Sequence, residues 1–126
     1  MKLCLIVDDS SVIRKVANTI LTGLDYKVVE AENGQKAIEH CEAQMPDAIL
    51  LDWHMPVMNG QDFLTIFKRT FPTTDLPWTI YATTQNDPID ISRALSSGAT
   101  DYIIKPFNRD DLEKKFAKLE NTKLGK

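Results

Sequence analysis

The chain has 126 residues, of which 43% are hydrophobic and 26% are charged, and its formal net charge is -3. This length suits one domain with a hydrophobic core, and we expect a single domain over residues 1–126 with a short basic tail from about residue 121. The net charge disfavours a nucleic-acid binder, which needs clustered lysine and arginine. No apolar run in the sequence is long enough to span a bilayer, so we expect a cytoplasmic protein without membrane partners.

Five short segments rich in Val, Ile and Leu alternate with segments of helical periodicity. This alternation predicts a parallel sheet with helices on both faces. The predicted strands are residues 3–8, 26–31, 47–52, 78–83 and 101–104. Because crossovers are right-handed, the common five-strand solution is the flavodoxin-like (βα)5 fold, a doubly wound sheet with strand order 2-1-3-4-5.

The intervening helices carry their own start and stop signals. Ser10 or Ser11 can cap the first helix and Gly23 can end it, while Asp87 with the following proline suits the start of the fourth. The second helix should run from about residue 34 to 44, the third should follow Gly60, and the fifth should start near residue 108. The predicted inward side chains are Val12, Ile13, Val16, Ala17, Ile20, Leu21, Ala37, Ile38, Cys41, Phe63, Leu64, Phe67, Leu112, Phe116 and Leu119.

Five polar residues fall at one edge of this predicted sheet. Asp8 and Asp9 end the first strand, Asp52 ends the third, Thr83 ends the fourth and Lys105 follows the fifth. Loops at this edge of an open α/β sheet form the crevice in which ligands bind. Three close carboxylates raise one another's pKa unless a cation neutralises them, and Mg2+ prefers such oxygen ligands. We therefore predict a magnesium site, although Asp8 or Asp9 alone could simply cap the next helix.

The same residues suit phosphoryl transfer. Asp52 follows a buried run and can attack phosphorus to form an aspartyl phosphate. The Lys105 ammonium and the Thr83 hydroxyl could then stabilise charge on the transferred group. Taken singly, Lys105 is a loop lysine and Thr83 a strand-end hydroxyl, and their joint placement favours the functional interpretation. A cis Lys105-Pro106 bond would aim the ammonium at the crevice, although trans is the usual isomer.

These motifs resemble the receiver domain of two-component response regulators, in particular the single-domain chemotaxis-regulator type. The matching segments are DD at 8–9, DWHMP at 52–56, MNG at 58–60, T at 83, GATDY at 98–102 and KPF at 105–107. The resemblance implies Mg2+-dependent phosphorylation of Asp52. It makes Asp9 a direct metal ligand, Asp8 an acidic partner that holds the metal through water, and the His54 backbone carbonyl a further ligand.

The resemblance also implies a switch and a set of partners. Thr83 would move toward the phosphoryl group and Tyr102 would turn inward, which changes binding on the face of the fourth helix, fifth strand and fifth helix. Tyr102 can also be read as an ordinary amphipathic strand residue. The phosphoryl donor would be a sensor histidine kinase or a histidine phosphotransfer protein, and the output a downstream target protein. The receiver would be a monomer or a phosphorylation-dependent dimer.

Some positions depart from the family pattern or allow other interpretations. Thr84 stands where the family usually has a small residue, and His54 and Gln85 occupy positions that line the route of attacking water. We expect Trp53 to be exposed beside Asp52, with local packing of the ring as the alternative. These departures leave the lifetime of the phosphoryl group open.

We expect a signalling receiver that catalyses only its own phosphorylation and dephosphorylation and is not otherwise an enzyme. The sequence also allows two other functions. An aspartate-nucleophile phosphatase is suggested by the Asp-x-His stretch, but such enzymes generally need a second carboxylate where His54 stands. A flavodoxin-like cofactor protein is the third interpretation. It is disfavoured because the crevice is acidic and no Gly- or Ser/Thr-rich phosphate loop follows the first strand.

Overall fold

The computed structural model describes residues 2–55, 57–84 and 88–124, and for residues 120–124 it describes only the backbone. Predicted residues Gln85 and Asp87 therefore lie outside the described part. The strands are β1 (Leu3–Val7), β2 (Lys27–Ala31), β3 (Ala48–Asp52), β4 (Trp78–Thr83) and β5 (Asp101–Ile104). The helices are α1 (Ser11–Gly23), α2 (Gly34–Ala43), α3 (Gly60–Thr70), α4 (Pro88–Ser96) and α5 (Arg109–Leu124).

All strand pairs are parallel, and the order β2-β1-β3-β4-β5 confirms the predicted flavodoxin-like topology. The central strands β1 and β3 are buried along their whole length, whereas the edge strand β2 is only partly buried. Burial on both faces explains why the central strands are continuous apolar runs rather than alternating ones. Among the described helices, none combines the length and apolarity of a membrane span.

Two hydrophobic cores lie on opposite faces of the sheet, because successive strand residues point to opposite sides. Leu5 and Val7 of β1 pack with α2, α3 and the Ala94 side chain of α4. Cys4 and Ile6 of the same strand pack with α1 and α5 on the other face. The predicted inward residues of α2, α3 and α5 are all buried, as the periodicity indicated.

Helix α1 corrects part of the sequence prediction. Val12 and Val16, predicted to face inward, are 68% and 43% exposed. The buried side chains of α1 are Ala17 and Leu21. Neighbouring residues are separated by about 100° around a helix, so when Ala17 and Leu21 rest on the sheet the two valines turn toward solvent. The apolar pattern was broader than the face that α1 buries.

The helix ends follow the capping signals. The Ser10 side chain accepts a hydrogen bond from Ile13 N at 3.3 Å and so is the N-cap of α1. Asn59 and Asp62 form a reciprocal capping box at α3. Gly23 is the last residue of α1, but the left-handed conformation falls on Asp25, with φ 69°. Residues 121–124, predicted as a tail, continue α5 as helix.

Gly60 and Gly23 should respond oppositely to alanine. A Cβ atom at Gly60 would collide with the Trp53 ring and lie 3.1 Å from its Cα, whereas at Gly23 the nearest atom is Arg109 Nη1 at 3.7 Å. We expect Gly60→Ala to lower the free energy of unfolding by about 1–3 kcal/mol through overpacking. Gly23→Ala should raise it by up to about 1 kcal/mol. Urea denaturation measures both, and equal effects would contradict the packing described.

Candidate functional site

The register of the central strands brings two acidic residues together. Val7 of β1 pairs with Leu51 of β3, so Asp8 and Asp52 come next at the same edge of the sheet. Both side chains are almost completely buried, while Asp9 is exposed at the opening. Each of the three carboxylates offers an oxygen within 4.8 Å of the other two. The three predicted acidic residues therefore do converge.

Lys105 joins this cluster from the fifth strand. The Lys105-Pro106 peptide bond is cis, the isomer that the sequence analysis considered. The Lys105 ammonium donates to Asp8 Oδ2 at 2.8 Å and to Asp52 Oδ1 at 3.1 Å. Its backbone N–H donates to the Thr83 carbonyl at 2.7 Å, which ties the end of β5 to the end of β4. One cation is thus shared between two buried carboxylates.

The electrostatics of the cluster are unbalanced. Burial and the neighbouring charge of Asp8 raise the pKa of Asp52, and the attraction of Lys105 offsets this only in part. Burial alone would lower the pKa of Lys105, but its hydrogen bonds and its attraction to Asp8 and Asp52 leave that pKa raised. Lys105 is therefore firmly protonated, and yet Asp52 still carries an electrostatic penalty. An additional cation would relieve that penalty.

The loop that carries Asp8 is fixed by several hydrogen bonds. The Asp8 N–H donates to the Ala31 carbonyl at 3.1 Å, and Asp8 Oδ1 accepts from Ser10 N at 2.9 Å. The Asp8 carbonyl accepts from Arg14 Nη1 at 2.7 Å. Arg14 was not singled out from the sequence, because a helical arginine six residues after an aspartate gives no sign of where its side chain reaches.

Trp53, predicted to be exposed, is instead 5% exposed. Its ring packs edge-to-face on Tyr81, with centroids 4.8 Å apart and an interplanar angle of 80°, so the alternative of local packing is correct. The backbone N–H of Trp53 donates to the Ala82 carbonyl at 3.0 Å and continues the β3–β4 ladder beyond Asp52. The Trp53 side chain lies in the same hydrophobic core as Leu51, two residues before it.

The next residue, His54, has an exposed side chain, and its backbone N–H donates to Asp52 Oδ1 at 3.3 Å. The predicted role of its carbonyl as a metal ligand stays a prediction. A cavity of about 340 Å³ opens beside Asp9 between the loops after β1, β2 and β3. Its lining residues are Asp9, Glu32, Asn33, Gly34, Gln35, Met55, Val57 and Met58.

The two predicted switch residues lie on neighbouring strands. Thr83 is fully buried at the end of β4, and Thr84 after it is exposed. Tyr102 on β5 is partly exposed, with its ring centroid 6.4 Å from that of Tyr81. The Lys115 ammonium lies 5.0 Å from the centre of the Tyr102 ring. The geometry is compatible with the switch, whose operation stays a prediction.

Comparison with known proteins identifies the family. A family model described as the response regulator receiver domain matches residues 4–117. The chain belongs to the response regulator receiver domain family. Chemotaxis protein CheY1 of Helicobacter pylori is 38% identical over 117 residues, which cover 91% of this chain and 93% of CheY1. The resemblance inferred from the sequence is thereby confirmed.

Two further relatives define how far the receiver match extends. The phosphate regulon transcriptional regulatory protein PhoB of Klebsiella pneumoniae is 36% identical over 108 residues, which cover 86% of this chain and 47% of PhoB. The chain thus spans less than half of that relative. The crystallised chemotaxis protein CheY4 of Vibrio cholerae superimposes with a TM-score of 0.88 at 29% identity, covering 94% of this chain and 98% of CheY4.

Membership makes the chain a phosphoryl-accepting response regulator of two-component signalling, as predicted. Receiver domains work with histidine kinases and downstream effectors, and they generally use Mg2+. The acidic cluster of Asp8, Asp9 and Asp52 suits that ion, because its donors are all carboxylate oxygens and its charge exceeds that of Lys105. The roles of the individual residues belong to the proposal below.

Replacing Asp52 by Asn should stabilise the receiver at neutral pH. The folded-state pKa of Asp52 is raised, so the charged carboxylate is less favourable in the folded than in the unfolded protein. This cost is absent below the unfolded pKa of about 3.9 and grows as the pH rises through the folded value. Asp52→Asn should therefore raise the unfolding temperature at a pH of about 7 and have little effect at a pH of about 3.

Asp101→Asn is the matched control and should behave oppositely. Burial would raise the pKa of Asp101, but its hydrogen bonds from the Tyr102 N–H and from Lys115 leave that pKa lowered. Its contribution to stability is present above the unfolded pKa and is lost as the pH falls through the folded one. Asp101→Asn should therefore lower the unfolding temperature at neutral pH. A shift of the same sign in both variants would contradict the charge balance described.

Proposed function

We propose that Asp52 is the phosphoacceptor of this receiver and that its phosphorylation requires Mg2+ held at Asp8, Asp9 and Asp52. The single observation that carries the proposal is the convergence of these three carboxylates within 4.8 Å of one another. Two of them are buried and share the single Lys105 ammonium, so the three carboxylates carry more negative charge than this ammonium offsets.

Mg2+ would be held by Asp9 directly, by Asp8 through water, by Asp52 and by the His54 carbonyl, and when bound it neutralises charge on the phosphoryl oxygens. The chain's own groups then fix the nucleophile. Lys105 Nζ and His54 N both approach Asp52 Oδ1, at 3.1 and 3.3 Å, while Oδ2 accepts neither of these bonds. This difference supports Oδ2 as the attacking oxygen in the proposed reaction.

The reaction is an in-line displacement. A new bond forms between Asp52 Oδ2 and phosphorus as the donor's phosphorus–nitrogen bond breaks, and the bonding electron pair leaves with the histidine nitrogen, which is then protonated. Lys105 stabilises negative charge on one phosphoryl oxygen, and the Thr83 hydroxyl donates to another. Water later attacks phosphorus, the bond between phosphorus and Asp52 Oδ2 breaks, and inorganic phosphate leaves as the Asp52 carboxylate is restored.

The output is a change of shape. Thr83 moves toward the new phosphoryl group, and Tyr102 turns into the space that Thr83 leaves. Two features support this switch. Thr83 is fully buried, and its carbonyl accepts a hydrogen bond from the backbone N–H of Lys105, which joins the end of β4 to the end of β5. Phosphorylation thereby shifts a population between two states of the α4, β5 and α5 face, where a downstream target protein binds.

We infer a signalling module rather than a turnover enzyme. The donor is a sensor histidine kinase or a histidine phosphotransfer protein, and the chain catalyses only its own phosphorylation and dephosphorylation. The aspartate-nucleophile phosphatase remains the second candidate, but the position where such an enzyme carries its acid/base carboxylate is His54, which is exposed. Steady hydrolysis of a phosphate ester such as p-nitrophenyl phosphate would favour the phosphatase instead.

A small phosphodonor tests the phosphoacceptor. With Mg2+ and acetyl phosphate, we expect the wild-type protein to gain one phosphoryl group by intact mass, and beryllium fluoride to bind with one adduct per chain. Asp52→Asn should abolish both, because the nucleophilic carboxylate is gone. Asp101→Asn, which removes a carboxylate on β5, should retain both. Phosphorylation of the Asp52→Asn protein to the wild-type extent would exclude Asp52 as the acceptor.

The switch should depend on Thr83 and not on its neighbour. Thr83→Ala should still take up beryllium fluoride, but the accompanying change in the NMR signals of the Tyr102 ring should be largely lost, because the buried hydroxyl that responds to the adduct is missing. Thr84→Ala, at an exposed position, is the matched control and should respond like the wild type. A full response of Tyr102 in Thr83→Ala would rule out this coupling.

A further inference from the structure

Arg14 connects three parts of the structure around the acidic site. From α1 its Nη1 atom reaches back to the Asp8 carbonyl at 2.7 Å, and its Nε atom donates to Glu30 Oε1 on β2 at 3.1 Å. The Arg14 side chain is 17% exposed. The planar guanidinium thus bridges a backbone oxygen of the acidic loop and a carboxylate of the neighbouring strand, with its two donors held in the fixed directions of the guanidinium plane.

Glu30 is itself held in place. Its second oxygen, Oε2, accepts from Asn18 Nδ2 at 2.8 Å, one helical turn beyond Arg14 on α1. Arg14 and Asn18 therefore each donate a hydrogen bond to one oxygen of the Glu30 carboxylate. These two bonds fix the orientation of the Arg14 guanidinium. A salt bridge exposed as much as this one contributes little to stability by itself. Its geometric consequence for the Asp8 carbonyl is the more important effect.

The Asp8 carbonyl belongs to the peptide bond that precedes Asp9. Because a peptide bond is planar, fixing its oxygen also fixes the plane from which the Asp9 Cα and side chain project. Asp8 is otherwise held through its N–H by Ala31 and through its carboxylate by Ser10 and Lys105. Arg14 supplies a further restraint, on the side that leads to the exposed Asp9 carboxylate.

We propose that Arg14 is a positioning residue for divalent-cation binding, which holds the Asp8–Asp9 peptide so that both carboxylates face one ion. The inference rests on the proposed function, since it assumes the Mg2+ site. It predicts a change in Mg2+ affinity opposite in sign to the change that loss of the Arg14 charge alone would cause. A guanidinium beside the site repels a cation, so loss of its charge alone would tighten Mg2+ binding. Loss of its positioning should weaken Mg2+ binding instead.

Arg14→Gln tests this against Lys15→Gln, which removes the same charge from the next, exposed residue of α1. Mg2+ affinity is measured by isothermal titration calorimetry, and the unfolding temperature without Mg2+ is recorded for each variant. We expect Arg14→Gln to weaken Mg2+ binding about tenfold, as loss of an outer-sphere partner does. Lys15→Gln should leave the affinity unchanged or slightly higher. Equal or tighter binding by Arg14→Gln would overturn the inference.

The proposed function and this inference fail in distinguishable ways. If the wild type binds no Mg2+, the proposed metal site is wrong and the inference falls with it. If the wild type binds Mg2+ and Arg14→Gln binds it equally well, only the role of Arg14 is wrong. Should Arg14→Gln not fold, Arg14→Lys keeps the charge and the aliphatic stem. It should still weaken binding while Lys15→Arg does not, and wild-type affinity in Arg14→Lys would also overturn the inference.

Discussion

The structure depends on one unbalanced arrangement of charge: two buried carboxylates, Asp8 and Asp52, share a single ammonium from Lys105, and Asp9 adds a third negative charge at the opening. Burial destabilises each charge that no opposite charge compensates. The pKa of Asp52 is raised despite Lys105, so Lys105 compensates the negative charges only in part. A receiver built this way is stabilised by whatever positive charge enters the site, and that requirement connects its stability to its chemistry.

The rest of the fold keeps these groups together. The β1–β3 register brings Asp8 beside Asp52, and the cis Lys105-Pro106 bond accompanies the return of the lysine toward them. The Lys105 N–H and the Thr83 carbonyl connect the site to the fourth and fifth strands. Hydrogen bonds of Lys105 thus connect Asp52 to the ends of the two strands, the fifth of which carries Tyr102. The proposed switch relies on the same hydrogen bonds that position the site.

Much of this could be predicted from the sequence, because it depends on periodic patterns and short motifs. Alternating apolar runs gave the strand order, and strand-end positions gave the converging aspartates. The prediction was wrong for Trp53 and for Val12 and Val16, and it missed Arg14. Each of these depends on the rotation of an element or the reach of a side chain, which follows from packing between distant segments. The Trp53 ring, for example, is buried because Tyr81 and Gly60 accommodate it.

The most direct test of the central claim is the effect of Mg2+ on thermal unfolding of the wild-type and Asp52→Asn proteins at constant ionic strength. A ligand that binds only the folded state stabilises it by about 1.4 kcal/mol at ten times its dissociation constant. We predict that Mg2+ raises the unfolding temperature of the wild type, and that the rise is largely lost when the Asp52 charge is removed. An equal rise in both proteins, or none in the wild type, would contradict the account.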